Sequence, residues 1–156
     1  MPPVRIVIAE DNDLFRELLR EQLQHVPDLE VIGEARNGWE AISVVGRLSP
    51  DMLTLDLNLE GLSGLEVLTL VRWYRPDTKV IILSGHDEES TIREALRGGA
   101  RGYIAKSDQV GLERVIQAVR RGEVWARRRV LATLIDDLVS ILTLGPPAVG
   151  GEPAPA

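Results

Sequence analysis

The sequence predicts an α/β fold, a doubly wound parallel sheet with helices on both faces. Three observations point there. Short β-branched runs alternate with amphipathic stretches from Val4 to about Arg121. Three of the runs, VRIVIA, DMLTL and KVIIL, are apolar almost throughout, as strands covered on both faces should be. Four runs also close on polar residues suited to phosphate or metal chemistry: Glu10 and Asp11, Asp56, Ser84 and Lys106.

The first strand is predicted over 4–9. A helix over about 13–25 follows, with Phe15, Leu18, Leu19 and Leu23 on one face and Pro27 just beyond it. The second strand is 30–35. The second helix follows Asn37 and runs to about Leu48, its apolar positions Trp39, Ile42, Val44 and Val45 interrupted by Gly46. The third strand is 52–57, and the third helix, about 64–74, is stopped by Pro76. The fourth strand is 79–84, and its helix, about 88–98, ends at Gly98 and Gly99. The fifth strand is 101–105, and the fifth helix, about 108–121, ends at Gly122.

Strands alternating with helices of this length imply a parallel sheet. Right-handed crossovers leave few topologies, and the flavodoxin-like (βα)5 order 2-1-3-4-5 is the natural one. Residues 1–122 then form one domain. Residues 123–144 carry an extra C-terminal helix with Leu131, Leu134, Ile135, Leu138 and Leu142 on one stripe. The stripe widens with Val130, Val139 and Ile141, so some burial is expected, either packed back on the domain or, the reading favoured here, as a dimer contact or an interdomain helix. Residues 145–156, GPPAVGGEPAPA, cannot build a core and read as a flexible linker toward an output domain that is absent from this sequence.

At 156 residues the chain holds one compact domain with an appendage. Its net charge of -6 argues against gripping nucleic acid through bulk electrostatics. It has no cysteine, which excludes disulfide frameworks and thiolate metal sites. The N-terminal apolar run is too short for a signal segment or a membrane span. A soluble, cytoplasmic protein is expected, with no membrane partner.

In an open parallel sheet, ligands bind outside the carboxyl ends of the strands. The polar residues that close separate runs should therefore meet. Glu10, Asp11 and Asp56 would crowd three carboxylates together, which costs stability unless a cation sits among them. Ligation by carboxylates, a backbone carbonyl and waters suits Mg2+, and the lack of a nearby Cys or His pair argues against zinc. Beside a metal, an aspartate can act as nucleophile toward a phosphoryl group, giving an acyl phosphate. Lys106 and the Ser84 hydroxyl would meet the phosphoryl oxygens.

The segments IAEDN, LDLNLEGLSGLEVL, ILSGH and GYIAKS resemble the signature segments of response-regulator receiver domains of two-component systems. The resemblance covers residues 4 to about 121, with the four motifs in the family's order, spacing and strand context. It implies that Asp56 is the phosphoacceptor and that Glu10 and Asp11 hold Mg2+, joined by the Asn58 backbone carbonyl. It also implies Ser84 as the switch hydroxyl, Lys106 as the phosphate-binding lysine, Tyr103 as the switch aromatic and a sensor histidine kinase as partner. The chain most resembles the subfamily whose receiver precedes a LuxR/NarL-type helix-turn-helix domain, so DNA would be met through that domain. It departs from the family pattern at Glu60 (usually Pro), Ser63 (usually Asp), Ser107 (often Pro after a cis bond) and Ser84 (in place of Thr).

Plainer readings stand beside these. Glu10 and Asp11 could cap the first helix, although Asp13 fits that role better. Lys106 could be a solvated surface lysine, Ser84 a turn residue, Tyr103 a packing residue and His86 a loop histidine. The arginines at 120–121 and 127–129 read as a solvated helix face or interdomain contacts. Three functions compete with a switched regulator. One is a stand-alone phosphorelay receiver, and another an interaction module with a degenerate site. The third is an aspartate-nucleophile phosphatase, since Asp56-x-Asn58 resembles the Asp-x-Asp of haloacid-dehalogenase-type enzymes. Asn58 cannot titrate as that enzyme's general acid would. The expected protein is therefore no metabolic enzyme, and catalyses only its own phosphorylation and dephosphorylation.

Overall fold

The computed structural model describes residues 2–85 and 88–145. The chain forms two compact units, Met1–Ala126 and Arg127–Ala156. In the first, five strands form one sheet: β1 (Val4–Ala9), β2 (Leu29–Ala35), β3 (Met52–Asp56), β4 (Lys79–Ser84) and β5 (Gly102–Ala105). Their order is β2-β1-β3-β4-β5, and every pair is parallel. The helices between them are α1 (Asp13–Gln24), α2 (Gly38–Leu48), α3 (Gly64–Tyr74) and α4 (Glu89–Arg97). A 3-10 turn (Lys106–Gly111) precedes α5 (Leu112–Arg120). The expected α/β architecture and strand order are both present.

Strand residues alternate between the two sheet faces. Ile6, Ile8, Ile81, Leu83 and Ile104 form one core with Leu19 and Leu23 of α1 and Leu112, Val115, Ile116 and Val119 of α5. Val7, Leu53, Leu55, Val80 and Ile82 are buried on alternate positions, as are Ala41, Val44 and Val45 of α2, Val67, Leu68 and Val71 of α3 and Ile92 and Ala95 of α4. Arg5 ties the sheet to the end of α2, its guanidinium donating to the carbonyls of Leu48 and Ser49 at 2.9 Å each.

Register carries the strand ends to one level. Ala9 pairs with Leu55, so Glu10 follows β1 at the height of Asp56. Ser84 pairs with Ala105, so Lys106 follows β5 immediately beyond that level.

Several local expectations need correction. Leu18 is exposed, because the buried line of α1 runs through Arg16, Leu19 and Leu23. Trp39 is exposed and Ile42 half-buried, because α2 faces the core with Gly38, Ala41, Val44 and Val45. Helix α1 is capped by Asn12, whose side chain accepts from the Phe15 N–H at 2.9 Å. Asp13 instead lies in the first turn and pairs with Arg16. The stretch after Lys106 winds first as a 3-10 turn, with Asp108 off helical geometry, so α5 begins only at Leu112. All described peptide bonds are trans, Lys106–Ser107 included.

Residues 124–126 are not helical. Trp125 forms a parallel bridge with Gly102: its N–H donates to the Arg101 carbonyl at 2.9 Å and its carbonyl accepts from the Tyr103 N–H at 2.8 Å. The helix of the second unit, α6 (Arg128–Leu144), starts later than the sequence suggests. On its apolar stripe Val130 is buried and Leu131 and Leu134 are half-buried, whereas Ile135, Leu138, Val139, Ile141 and Leu142 are exposed. The linker expected over 145–156 lies outside the described residues from 146 onward, as does His86.

Candidate functional site

The parallel strands bring Glu10, Asp11 and Asp56 together at the carboxyl end of the sheet. One oxygen from each lies within 4.8 Å of the others. Glu10 and Asp56 are 1% and 2% exposed, whereas Asp11 faces solvent.

Glu10 is held at every polar atom. Its N–H donates to the Ala35 carbonyl of β2 at 3.0 Å. Its carbonyl accepts from Arg16 Nη1 at 2.9 Å, and its Oε2 accepts from the Asn12 N–H at 3.0 Å. Its Oε1 stands 2.7 Å from Lys106 Nζ as an ion pair. Asp56 accepts from the Asn58 N–H on Oδ1 at 3.1 Å and from Lys106 Nζ on Oδ2 at 3.2 Å. The lysine therefore spans both buried carboxylates, with its ammonium 4.9 Å from the centre of the Phe15 ring, a cation–π distance.

The charges are unevenly matched. Burial pushes the Glu10 carboxyl up to about 7, against the opposing pull of Lys106 and Asn12 and with added repulsion from Asp56. Partial burial pushes Lys106 down, but its contacts with Glu10 and Asp56 outweigh this and hold it above its ordinary value. One ammonium serves three carboxylates, so the cluster keeps a negative excess. An all-oxygen donor set with uncompensated charge fits a hard divalent cation such as Mg2+.

The loop after β3 explains how Asp56 is presented. Gly64, the first residue of α3, packs so tightly that a Cβ would lie 2.6 Å from the Asp56 carbonyl and 2.4 Å from Leu57 Cα. Its N–H donates to the Leu57 carbonyl at 3.0 Å. Gly61 takes φ +78 with Trp39 against it, and the Glu60 carbonyl accepts from the Gly38 N–H at 3.0 Å. Ser63 caps α3 reciprocally: its Oγ accepts from the Glu66 N–H at 3.3 Å and donates to Glu66 Oε1 at 3.1 Å. The departures at Glu60 and Ser63 thus leave a loop braced by α2 and a capped helix.

Ser84 is buried at the end of β4, opposite Ala105. Tyr103 is buried in β5, with its backbone tied to Trp125. The Asn58 residue is exposed beside Asp56. Sequence reasoning overlooked three residues here. Asn12 carried a signal, as an Asx residue directly before a helix. Phe15 was assigned to a core face, although it also meets Lys106. Arg16 gave no sequence signal, because an arginine on an amphipathic helix reads as solvated.

The chain matches the response regulator receiver domain family over residues 6–120. It is 34% identical over 136 residues to the transcriptional regulatory protein DegU of Brevibacillus brevis, covering 86% of this chain and 57% of that protein. It is 39% identical over 110 residues to the protein-glutamate methylesterase/protein-glutamine glutaminase 2 of Carboxydothermus hydrogenoformans, covering 69% of this chain and 31% of that protein. It spans less than two thirds of either relative's length. Among solved structures, the signal receiver domain of the response regulator NarL from Mycobacterium tuberculosis superposes with a TM-score of 0.75 at 31% identity, covering 79% of this chain and all of that one. The sheet order, the acid cluster at its carboxyl end and the match over 6–120 agree, and the chain belongs to the response-regulator receiver domains.

Proposed function

We propose that this receiver accepts a phosphoryl group on Asp56 from a sensor histidine kinase and uses it to switch a surface that controls an output domain. The observation that carries the reading is the convergence of Glu10, Asp11 and Asp56 with Lys106 bridging the two buried carboxylates. Glu10, Asp11, Asp56 and the Asn58 backbone carbonyl would hold Mg2+. When bound, the ion supplies charge neutralisation between the attacking carboxylate and the phosphoryl oxygens.

An Asp56 carboxylate oxygen attacks phosphorus, the phosphorus–nitrogen bond to the donor histidine breaks, and an acyl phosphate forms. The Asn58 N–H holds the aspartate oriented through Oδ1. Lys106, already paired with Asp56, transfers its contact to a phosphoryl oxygen, and the Ser84 hydroxyl donates to another. Tyr103 serves as the switch aromatic, and the movement biases the surface formed by α4, β5 and α5. The net chemistry modifies the protein itself, and no metabolite is turned over.

Residues 1–122 form the receiver in this reading. The segment 123–144 serves as a dimer or interdomain helix, and 145–156 as a linker to a DNA-binding output domain. Support for the output class is the likeness to DegU, named as a transcriptional regulatory protein, and support for the helix is its exposed apolar stripe. A cytoplasmic location accords with a kinase partner; among the described residues no helix is long and apolar enough to cross a membrane.

Incubation with Mg2+ and acetyl phosphate or phosphoramidate, followed by intact-mass analysis, tests the assignment. One added phosphoryl group is expected on the wild type and on Asp13→Asn, and none on Asp56→Asn or Asp56→Ala. No mass shift on the folded wild type overturns the receiver chemistry, and equal loss in Asp13→Asn moves the acceptor elsewhere.

A further inference from the structure

Arg16 is a charged residue at a buried position of α1, with its side chain 10% exposed. A buried cation is costly unless its donors are all used. Here they point three ways. Nη1 donates to the Glu10 carbonyl at 2.9 Å, Nη2 bonds Asp13 Oδ1 at 2.5 Å, and Nε lies 3.7 Å from Glu34 Oε1 on β2. Glu34 is fixed in turn by Arg20, whose Nη1 donates to its Oε2 at 3.2 Å. The guanidinium thus makes two hydrogen bonds and one longer ion-pair contact, and one of the hydrogen bonds ends on the peptide that joins Glu10 to Asp11.

That peptide is the hinge of the acid pair. The peptide before it is fixed by the Glu10 N–H bond to Ala35. The bond from Arg16 to the Glu10 carbonyl fixes the next peptide plane, and with it the direction in which the Asp11 side chain leaves the backbone. Asp11 itself is exposed to solvent. A charge-assisted bond is roughly twice as strong as a neutral one, and a planar fork fixes geometry that an ammonium cannot.

We propose that Arg16 is a positioning residue for the divalent-cation site: it orients the Glu10–Asp11 peptide so that both carboxylates meet one ion. This rests on the reading of Glu10 and Asp11 as Mg2+ holders. Arg16 touches no reacting atom in this role. Partners that orient ligating groups typically carry a 10–100-fold share of metal affinity.

The test is Mg2+ titration of the full chain by isothermal calorimetry at neutral pH, on wild type, Arg16→Lys and Arg16→Met. Thermal melts in parallel confirm folding. Phosphorylation by phosphoramidate is then followed against Mg2+ concentration. The expected result is a Mg2+ dissociation constant raised on the order of tenfold or more in both variants, with the phosphorylation rate at saturating Mg2+ within about twofold of wild type. A merely structural role lowers the melting temperature without that separation of metal affinity from maximal rate. Should Arg16→Met not fold, Arg16→Lys alone decides. A folded Arg16→Lys with wild-type Mg2+ affinity overturns the positioning role while leaving the receiver chemistry intact. Wild type that binds no Mg2+ overturns both.

Discussion

Lys106 bridges Glu10 and Asp56, its ammonium 2.7 Å from one carboxylate and 3.2 Å from the other. It occupies the electrostatic place that a divalent ion also seeks. In Lys106→Met the competing cation is gone, and Mg2+ should bind several-fold more tightly. The metal-free protein should lose on the order of 1–3 kcal/mol, less than a fully buried pair would cost because the lysine keeps some contact with water. After phosphorylation the variant should show no change in amide NMR shifts along α4 and β5. Calorimetric titration, urea unfolding and NMR read the three effects. Unchanged Mg2+ affinity would show that the lysine and the metal do not compete.

Glu10 sets a pH dependence. Its carboxyl titrates at 4.5 when unperturbed and at about 7 in the fold. Between those values the folded protein holds a proton that the unfolded chain has released. Stability from this group therefore falls as pH rises from 4.5 to about 7 and is level above it. Mg2+ binds the carboxylate, so its stabilising effect should grow across the same window. Melting temperatures of wild type and Glu10→Gln, taken across that range with and without Mg2+, give the difference directly. Parallel profiles for the two proteins would remove Glu10 as the titrating group.

Gly64 is expected to resist replacement even by alanine. A Cβ there would meet backbone atoms of Asp56 and Leu57, which cannot rotate away as a side chain could. Gly64→Ala should cost about 3 kcal/mol, the upper end of overpacking penalties, and should slow phosphorylation by moving Asp56. Gly111→Ala is the contrast, since a Cβ there meets nothing within 4 Å. It should be neutral or stabilising by up to about 1 kcal/mol through the unfolded chain. Urea unfolding of both variants checks the pair, and equal stability would mean that α3 can retreat from the loop.

The parts legible in the sequence were those written in strong local patterns. Runs such as KVIIL have one plausible home, a strand buried on both faces, and the polar residue ending each run then falls at the sheet's carboxyl end. Glu10, Asp56 and Lys106 converge for that reason. What escaped depends on neighbours distant in sequence. Leu18 and Trp39 look like core residues by hydropathy, but the buried line of each helix is set by where the sheet lies, and a small residue such as Ala41 takes the inward place. Arg16 looks solvated until Glu34 and the Glu10 carbonyl surround it. Trp125 sits in a stretch with helical hydropathy, yet its backbone bonds go to β5. Asn12 and Asp13 are both good caps on paper, and the turn geometry selects the first.

The bridge between Trp125 and Gly102 has a further consequence for how copies of this protein can meet. An exposed strand edge offers unpaired amides and carbonyls to any passing strand. At Arg101–Tyr103 those groups are already taken by the protein's own chain. A strand arriving at this start of β5 therefore finds its first two bonding groups already occupied, which disfavours sheet-to-sheet growth there.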